Sequence, residues 1–102
     1  MQSVLQAISN PRRRKILQLV WDDELPARAI AAQIDVSWSA VSQNLRLLNQ
    51  AGLITERREG TQRFYRADRE ALAPVEVILR AMWTEDLQRL KFVVEQDKDA
   101  GL

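Results

Sequence analysis

The sequence contains no cysteine and no histidine. Without cysteine there are no disulfides, no thiolate metal sites and no thiol nucleophile. Without histidine there is no Ser-His-Asp triad, and the usual ligands of a structural zinc site are absent. Glycine is scarce: three residues, at 52, 60 and 101, too few and too scattered for a phosphate-cradling loop. Carboxylates are present, but no pair stands out as an acid–base couple. Glu85 and Asp86 are sequence neighbours, and neighbours on a helix point in different directions. With no assembled nucleophile or base, an enzyme is not expected, and neither a metal nor a cofactor is expected. No apolar run approaches the ~18 residues a membrane span needs. The first ten residues lack the basic-then-apolar order of a signal peptide, so the expected location is the cytoplasm.

What is there is a chain of 102 residues, 46% hydrophobic and 28% charged, the composition of one soluble globular domain over 1–102. A domain this small buries a limited share of its surface, so a dimer interface adds useful stability. The net charge of +1 conceals an asymmetry. Residues 1–69 carry 11 Lys/Arg against 7 Asp/Glu, whereas residues 70–102 carry 4 against 7. A basic first part and an acidic last part point to a polyanion-facing side and a separate solvated or partner-facing side.

The pattern predicts five helices and one hairpin, a mostly α fold. Residues 3–8 read as a short first helix. Asn10-Pro11 reads as an N-cap and first helical position, opening a helix to about Trp21 with Ile16, Leu17, Val20 and Trp21 on its apolar face. Arg12, Arg13, Arg14 and Lys15 crowd its first turns, where positive charge opposes the helix dipole. That cluster reads either as a solvated basic face or as a contact with phosphate. A helix over about Pro26–Ile34 follows, then the polar break Asp35-Val36-Ser37. Ser37 caps a longer helix over about Trp38–Gln50, with Val41, Leu45, Leu47 and Leu48 on its apolar side and Gly52 as its stop. Leu53–Arg58 and Gln62–Ala67 read as strands joined by Glu59-Gly60-Thr61. A last helix is predicted over about Glu70–Gln96, with a fraying tail at Asp97–Leu102.

Two short helices joined by a tight turn, over Pro26–Gly52, have the layout of a helix-turn-helix, whose second helix enters the major groove of DNA. Its outward residues here are Trp38, Ser39, Ser42, Gln43 and Arg46. The serines and glutamine suit base or phosphate contacts, and Arg46 lies one turn past Ser42, within reach of backbone phosphate. Trp38 reads either as a ring against thymine methyl groups and sugars or as a ring packed on the preceding helix. The hairpin that follows, with Arg57, Arg58 and Arg63 near its tip, makes the unit a winged helix. Wing arginines suit phosphate or a narrow minor groove.

Three stretches, NPRRRKILQLV, DVSWSAVSQNLRLLNQAGLI and RREGTQRFYRAD, resemble the ArsR family of bacterial winged-helix repressors over nearly the whole chain. The most specific is Ser37-x-x-x-Val41-Ser42-x-x-Leu45-x-x-Leu48-x-x-Ala51-Gly52-Leu53. The resemblance implies that Trp38, Ser39, Ser42 and Gln43 read DNA. It also implies a point of departure. Metal-sensing members carry cysteine on the helix before the recognition helix, or His/Asp sites on the last helix. Here Leu25-Pro26-Ala27-Arg28-Ala29 has no cysteine and the last helix no histidine, so the chain resembles the metal-independent branch.

The last helix carries Leu72, Val75, Leu79, Met82, Trp83, Leu87, Leu90 and Val94 on one stripe. About 27 residues at 1.5 Å each span roughly 40 Å, more than the core of one small domain covers. Dimerisation is therefore expected through Leu79, Met82, Trp83, Leu87 and Leu90, joined by residues 4–8, while the first turns, near Leu72 and Val75, close the domain's own core. Two functions fit this organisation: a dimeric repressor on a pseudo-palindromic operator of double-stranded DNA, or an interaction module that regulates another factor by docking. The basic first part and the polar outward face favour DNA.

Overall fold

A computed structural model describes residues 4–100, with side chains through Arg89. In chain order the elements are α1 (Val4–Ile8), α2 (Pro11–Leu19), β1 (Leu25–Pro26), α3 (Ala27–Ala32), α4 (Trp38–Gln50), β2 (Ile54–Glu59), β3 (Gln62–Ala67), α5 (Arg69–Leu72), a 3-10 turn (Ala73–Val75) and α6 (Glu76–Ala100).

Local chemistry sets the helix boundaries. The Asn10 side chain accepts from the backbone N–H of Arg12 and Arg13 ahead of Pro11, which starts α2. Ser37 Oγ accepts from Ala40 N–H and starts α4. Asp68 does the same for α5 through Ala71 N–H. α4 stops at Gly52, whose φ of 75° is costly for a residue with a Cβ. The N–H of Gly52 returns to Asn49 O and that of Leu53 to Leu48 O, both at 3.0 Å. That is the paired bonding of a Schellman stop, closed by the buried side chains of Leu48 and Leu53.

The expected hairpin is part of a three-stranded antiparallel sheet in the order β1-β3-β2. Leu25 pairs with Tyr65 and Pro26 with Phe64. Residues 25–26 are thus a strand, not the start of a helix. The residue before a proline is pushed out of the α region, and Pro26 itself is extended at φ −70°, ψ 154°. A proline is tolerated there because β1 is an edge strand. Glu59 pairs with Gln62, leaving a two-residue turn at Gly60-Thr61 instead of the three residues expected. Only Gly60 has positive φ, the pattern of a type II′ turn.

The expected last helix is interrupted as well. Pro74 lacks the N–H that an α-helix needs, and the chain passes through a 3-10 turn before α6 begins. α6 then continues to Ala100, so residues 97–100 are helical where a frayed tail was expected. The core draws Ile16, Leu17 and Val20 from α2, Ile30 from α3, Val41, Leu45 and Leu48 from α4, Tyr65 from β3, and Leu72, Leu79 and Trp83 from the final segment. Trp21 and Trp83 meet edge to face, with ring centroids 5.3 Å apart. α4 is thereby held by its apolar side, and its opposite side faces outward.

Candidate nucleic-acid interface

Ser39, Ser42, Gln43 and Arg46 recur at steps of three and four, which puts them on one face of α4. With Trp38 they line a shallow groove of about 370 Å³. Trp38 is 57% exposed, so its ring is not packed away against α3. It also borders a second groove of about 350 Å³, lined by Arg28 of α3, Ser42 of α4 and Thr61, Gln62, Arg63 and Tyr65 of the wing. Recognition helix and wing therefore share one continuous surface.

The three wing arginines do not act together. Side chains alternate along a strand, so Arg57 lies on the opposite face of the ribbon from Arg58 and its cross-strand partner Arg63. Arg57 Nη2 donates to Glu24 at 2.6 Å and Nη1 to Glu59 at 3.0 Å, with the guanidinium 4.8 Å from the centroid of Phe64. Hydrogen bonds to Glu24, then to Glu59, hold the Arg57 pKa above its ordinary value, and Arg57 in turn holds the Glu24 carboxyl below its own. Arg57 thus ties the wing to the loop before β1. Arg63 pairs with Glu56 at 3.2 Å. Arg58 directly opposes Arg63, and its guanidinium has no hydrogen-bond or ion-pair partner among the described residues. The guanidinium groups of Arg46 and Arg28 are likewise without such partners. Arg28 was not singled out from the sequence, where the reading of α3 followed only its apolar residues.

The basic run on α2 divides. Arg12 and Lys15 are exposed, but Arg13 and Arg14 are buried, which neither reading of the cluster anticipated. Arg14 grips Asp86 through Nε and Nη2, both at 2.9 Å. That hydrogen bonding raises the Arg14 pKa and lowers that of Asp86. Arg13 bonds only neutral acceptors, and burial lowers its pKa.

Residues 10–56 match the family described as bacterial regulatory protein, arsR family. The HTH-type transcriptional regulator Rv2034 of Mycobacterium tuberculosis is 32% identical over 94 residues, covering 92% of this chain and 88% of that protein. This chain belongs to the arsR family. The transcriptional repressor SdpR of Bacillus subtilis is 38% identical over 65 residues, covering 64% of this chain and 72% of SdpR. The solution structure of the homodimeric winged helix-turn-helix DNA-binding domain of Mb0332 from Mycobacterium bovis superposes with a TM-score of 0.68 at 34% identity, covering 84% of this chain and 80% of that one. The fold is thus the winged helix-turn-helix of arsR transcriptional regulators, as the sequence led us to expect.

In this arsR chain the apolar stripe of the last helix divides into a buried and an exposed part. Leu79 and Trp83, both expected at a subunit contact, are buried in the chain's own core. Trp83 Nε1 donates to the backbone carbonyl of Arg14 at 2.8 Å. Leu87 is 65% exposed, Met82 is partly buried against the core, and Leu5 on α1 is exposed. The side chain of Leu90 lies outside the described residues. Leu87 borders a groove of about 510 Å³ between α2 and α6, together with Pro11, Lys15, Gln18, Trp83 and Asp86. Among the described residues no three Asp or Glu side chains gather closely enough to hold a metal ion, and no helix is long and apolar enough to cross a membrane.

Proposed function

We propose that this protein is a sequence-specific transcriptional repressor that binds a pseudo-palindromic operator as a homodimer in the cytoplasm. The observation that carries this reading is the outward face of α4. Ser39, Ser42, Gln43 and Arg46 lie there beside Trp38, flanked by Arg28 of α3 and Arg63 of the wing. α4 enters the major groove. The Gln43 amide bonds an adenine edge at two points, the serines contact base edges or phosphate, and the Trp38 ring lies against thymine methyl groups or sugars. Arg46, Arg28 and Arg58 neutralise phosphates. Arg58 and Arg63 are cross-strand partners, and with Arg63 held by Glu56 the Arg58 guanidinium is the one left for phosphate.

A homodimer formed through Leu87, Met82 and Leu5 presents two such faces to one operator. The homodimeric Mb0332 domain supports the assembly, and SdpR, a repressor by name, supports the sign of regulation. Docking onto another factor needs an apolar or acidic outer face on α4, and this one is polar and basic around a single indole. Release by a transition metal is not part of the reading, because the soft and imidazole ligands are missing from the sequence.

Selection of duplex fragments from a random pool by the purified protein tests the reading. The expected outcome is an inverted repeat whose half-site centres lie about 10 base pairs apart, or a multiple of that. A pool that stays random after repeated selection contradicts it.

A further inference from the structure

Arg13 and Arg14 are consecutive on α2, so their side chains leave the helix about 100° apart. They share one anchor and then diverge. α1 is only 5 residues long, and its last carbonyls are satisfied from outside the helix, Gln6 O in part by Ser9 N–H and Oγ. Arg13 takes two of them, Nε donating to Ala7 O at 2.7 Å and Nη2 to Gln6 O at 3.1 Å. Arg14 takes the next two, Nη1 donating to Ile8 O and Ser9 O, both at 3.0 Å. The rest of each guanidinium reaches a different helix. Arg13 Nη1 donates to Asn44 Oδ1 on α4 at 3.4 Å, and the Asn44 amide donates to Ala40 O at 3.0 Å, which ties it to the α4 backbone. Arg14 holds Asp86 on α6, and its own carbonyl accepts from Trp83 one turn before.

We propose that the Arg13–Arg14 pair sets the recognition helix in register with the last helix, with Arg13 acting through Asn44 as a positioning residue for α4 and Arg14 acting through Asp86 for α6. The proposal rests on the reading of α4 as the helix that reads DNA. Half-sites a fixed number of base pairs apart demand that the two α4 helices of a dimer sit at a fixed spacing, and that spacing is set by how each α4 is held relative to the dimerising helix. Asn44 is half-buried and does not line the groove formed by Trp38, Ser39, Ser42, Gln43 and Arg46. A substitution at Asn44 therefore removes none of those side chains. The same holds for Arg13, whose side chain is buried and bonded to Ala7 O, Gln6 O and Asn44.

The test measures two quantities: the ratio of affinity for the selected operator to affinity for random duplex, and the log-log salt slope of random binding. The wild-type protein comes first. A wild-type ratio near one removes the DNA-reading role of α4, and the proposal falls with it. With a high wild-type ratio, Asn44→Leu and Arg13→Gln are each expected to lower it about tenfold, the effect of losing one hydrogen bond to a charged group. The double variant should lose no more than the worse single one, with the random-DNA slope unchanged. Singles that leave the ratio untouched, or losses that add in the double variant, overturn the proposal while leaving the reading of α4 intact. A slope lowered by about one unit in Arg13→Gln assigns Arg13 to phosphate and also overturns it. If Arg13→Gln does not fold, Asn44→Asp against Asn44→Leu decides. Aspartate gives Arg13 a charged acceptor and should keep the ratio at the wild-type level or above. Equal losses from aspartate and leucine contradict the positioning role.

Discussion

The Arg14 guanidinium grips the Asp86 carboxylate at two points, each 2.9 Å long, across 72 residues of chain. Arg14 is nearly buried and Asp86 is partly open to solvent, so the pair keeps more strength than a surface salt bridge. It fixes α6 against α2.

Asp86→Asn is expected to lower unfolding stability by about 1–2 kcal/mol at neutral pH, the value of a hydrogen bond to a charged group reduced by the solvent open to Asp86. The pH dependence follows from the lowered Asp86 pKa. A carboxyl whose folded pKa is depressed contributes stability that is complete above its unfolded value, roughly 4, and is lost as pH falls through the lower folded value. The gap between wild type and Asp86→Asn in urea unfolding should therefore hold from pH 7 to about pH 5 and close below the folded pKa. A gap of equal size at pH 7 and at pH 2.5 counts against this role.

Arg57 and Arg58 are neighbours with opposite assignments. Arg58→Ala should weaken operator and random duplex alike and lower the log-log salt slope by about one unit. Arg57→Ala should leave the slope nearly unchanged, because its guanidinium is already held by Glu24 and Glu59. Anisotropy titrations at several salt concentrations separate the two. Equal slope changes mean that Arg57 leaves its partners for DNA.

Leu87 and Trp83 differ in the same way on α6. Leu87→Glu, alone or with Leu5→Glu, should give a folded monomer by light scattering at micromolar concentration. Trp83→Ala should instead cost about 3–5 kcal/mol of stability, because the indole fills the core and bonds the Arg14 carbonyl. A Leu87→Glu protein that stays dimeric places the subunit contact elsewhere.

Much of the fold was legible in the residues. Asn10-Pro11, Ser37 and Gly52 mark helix ends by side-chain chemistry that needs no tertiary context, and each acts as expected. The outward face of α4 followed from periodicity. What escaped depended on distant partners. Leu25-Pro26 becomes a strand only because Tyr65 and Phe64 lie alongside it. Arg13 and Arg14 read as surface charge until the carbonyl end of α1 and Asp86 close around them. The division of the wing arginines was accessible: strand alternation separates Arg57 from Arg58 and Arg63, and reading them as one cluster passed over it. The stripe on the last helix gave a face, but its length could not say where the core of the domain ends and the exposed surface begins. The structure puts that boundary between Trp83 and Leu87.

If α4 reads bases, the loss of the Gln43 amide shows it. The measurement is the ratio of affinity for the selected operator to affinity for random duplex of the same length, in wild type and in Gln43→Ala. A two-point contact with adenine is worth about 1–3 kcal/mol of discrimination. The ratio should therefore fall roughly tenfold to a hundredfold, with random affinity and its salt slope unchanged. A ratio that survives the substitution, or a loss shared equally by operator and random DNA, means that Gln43 does not read bases.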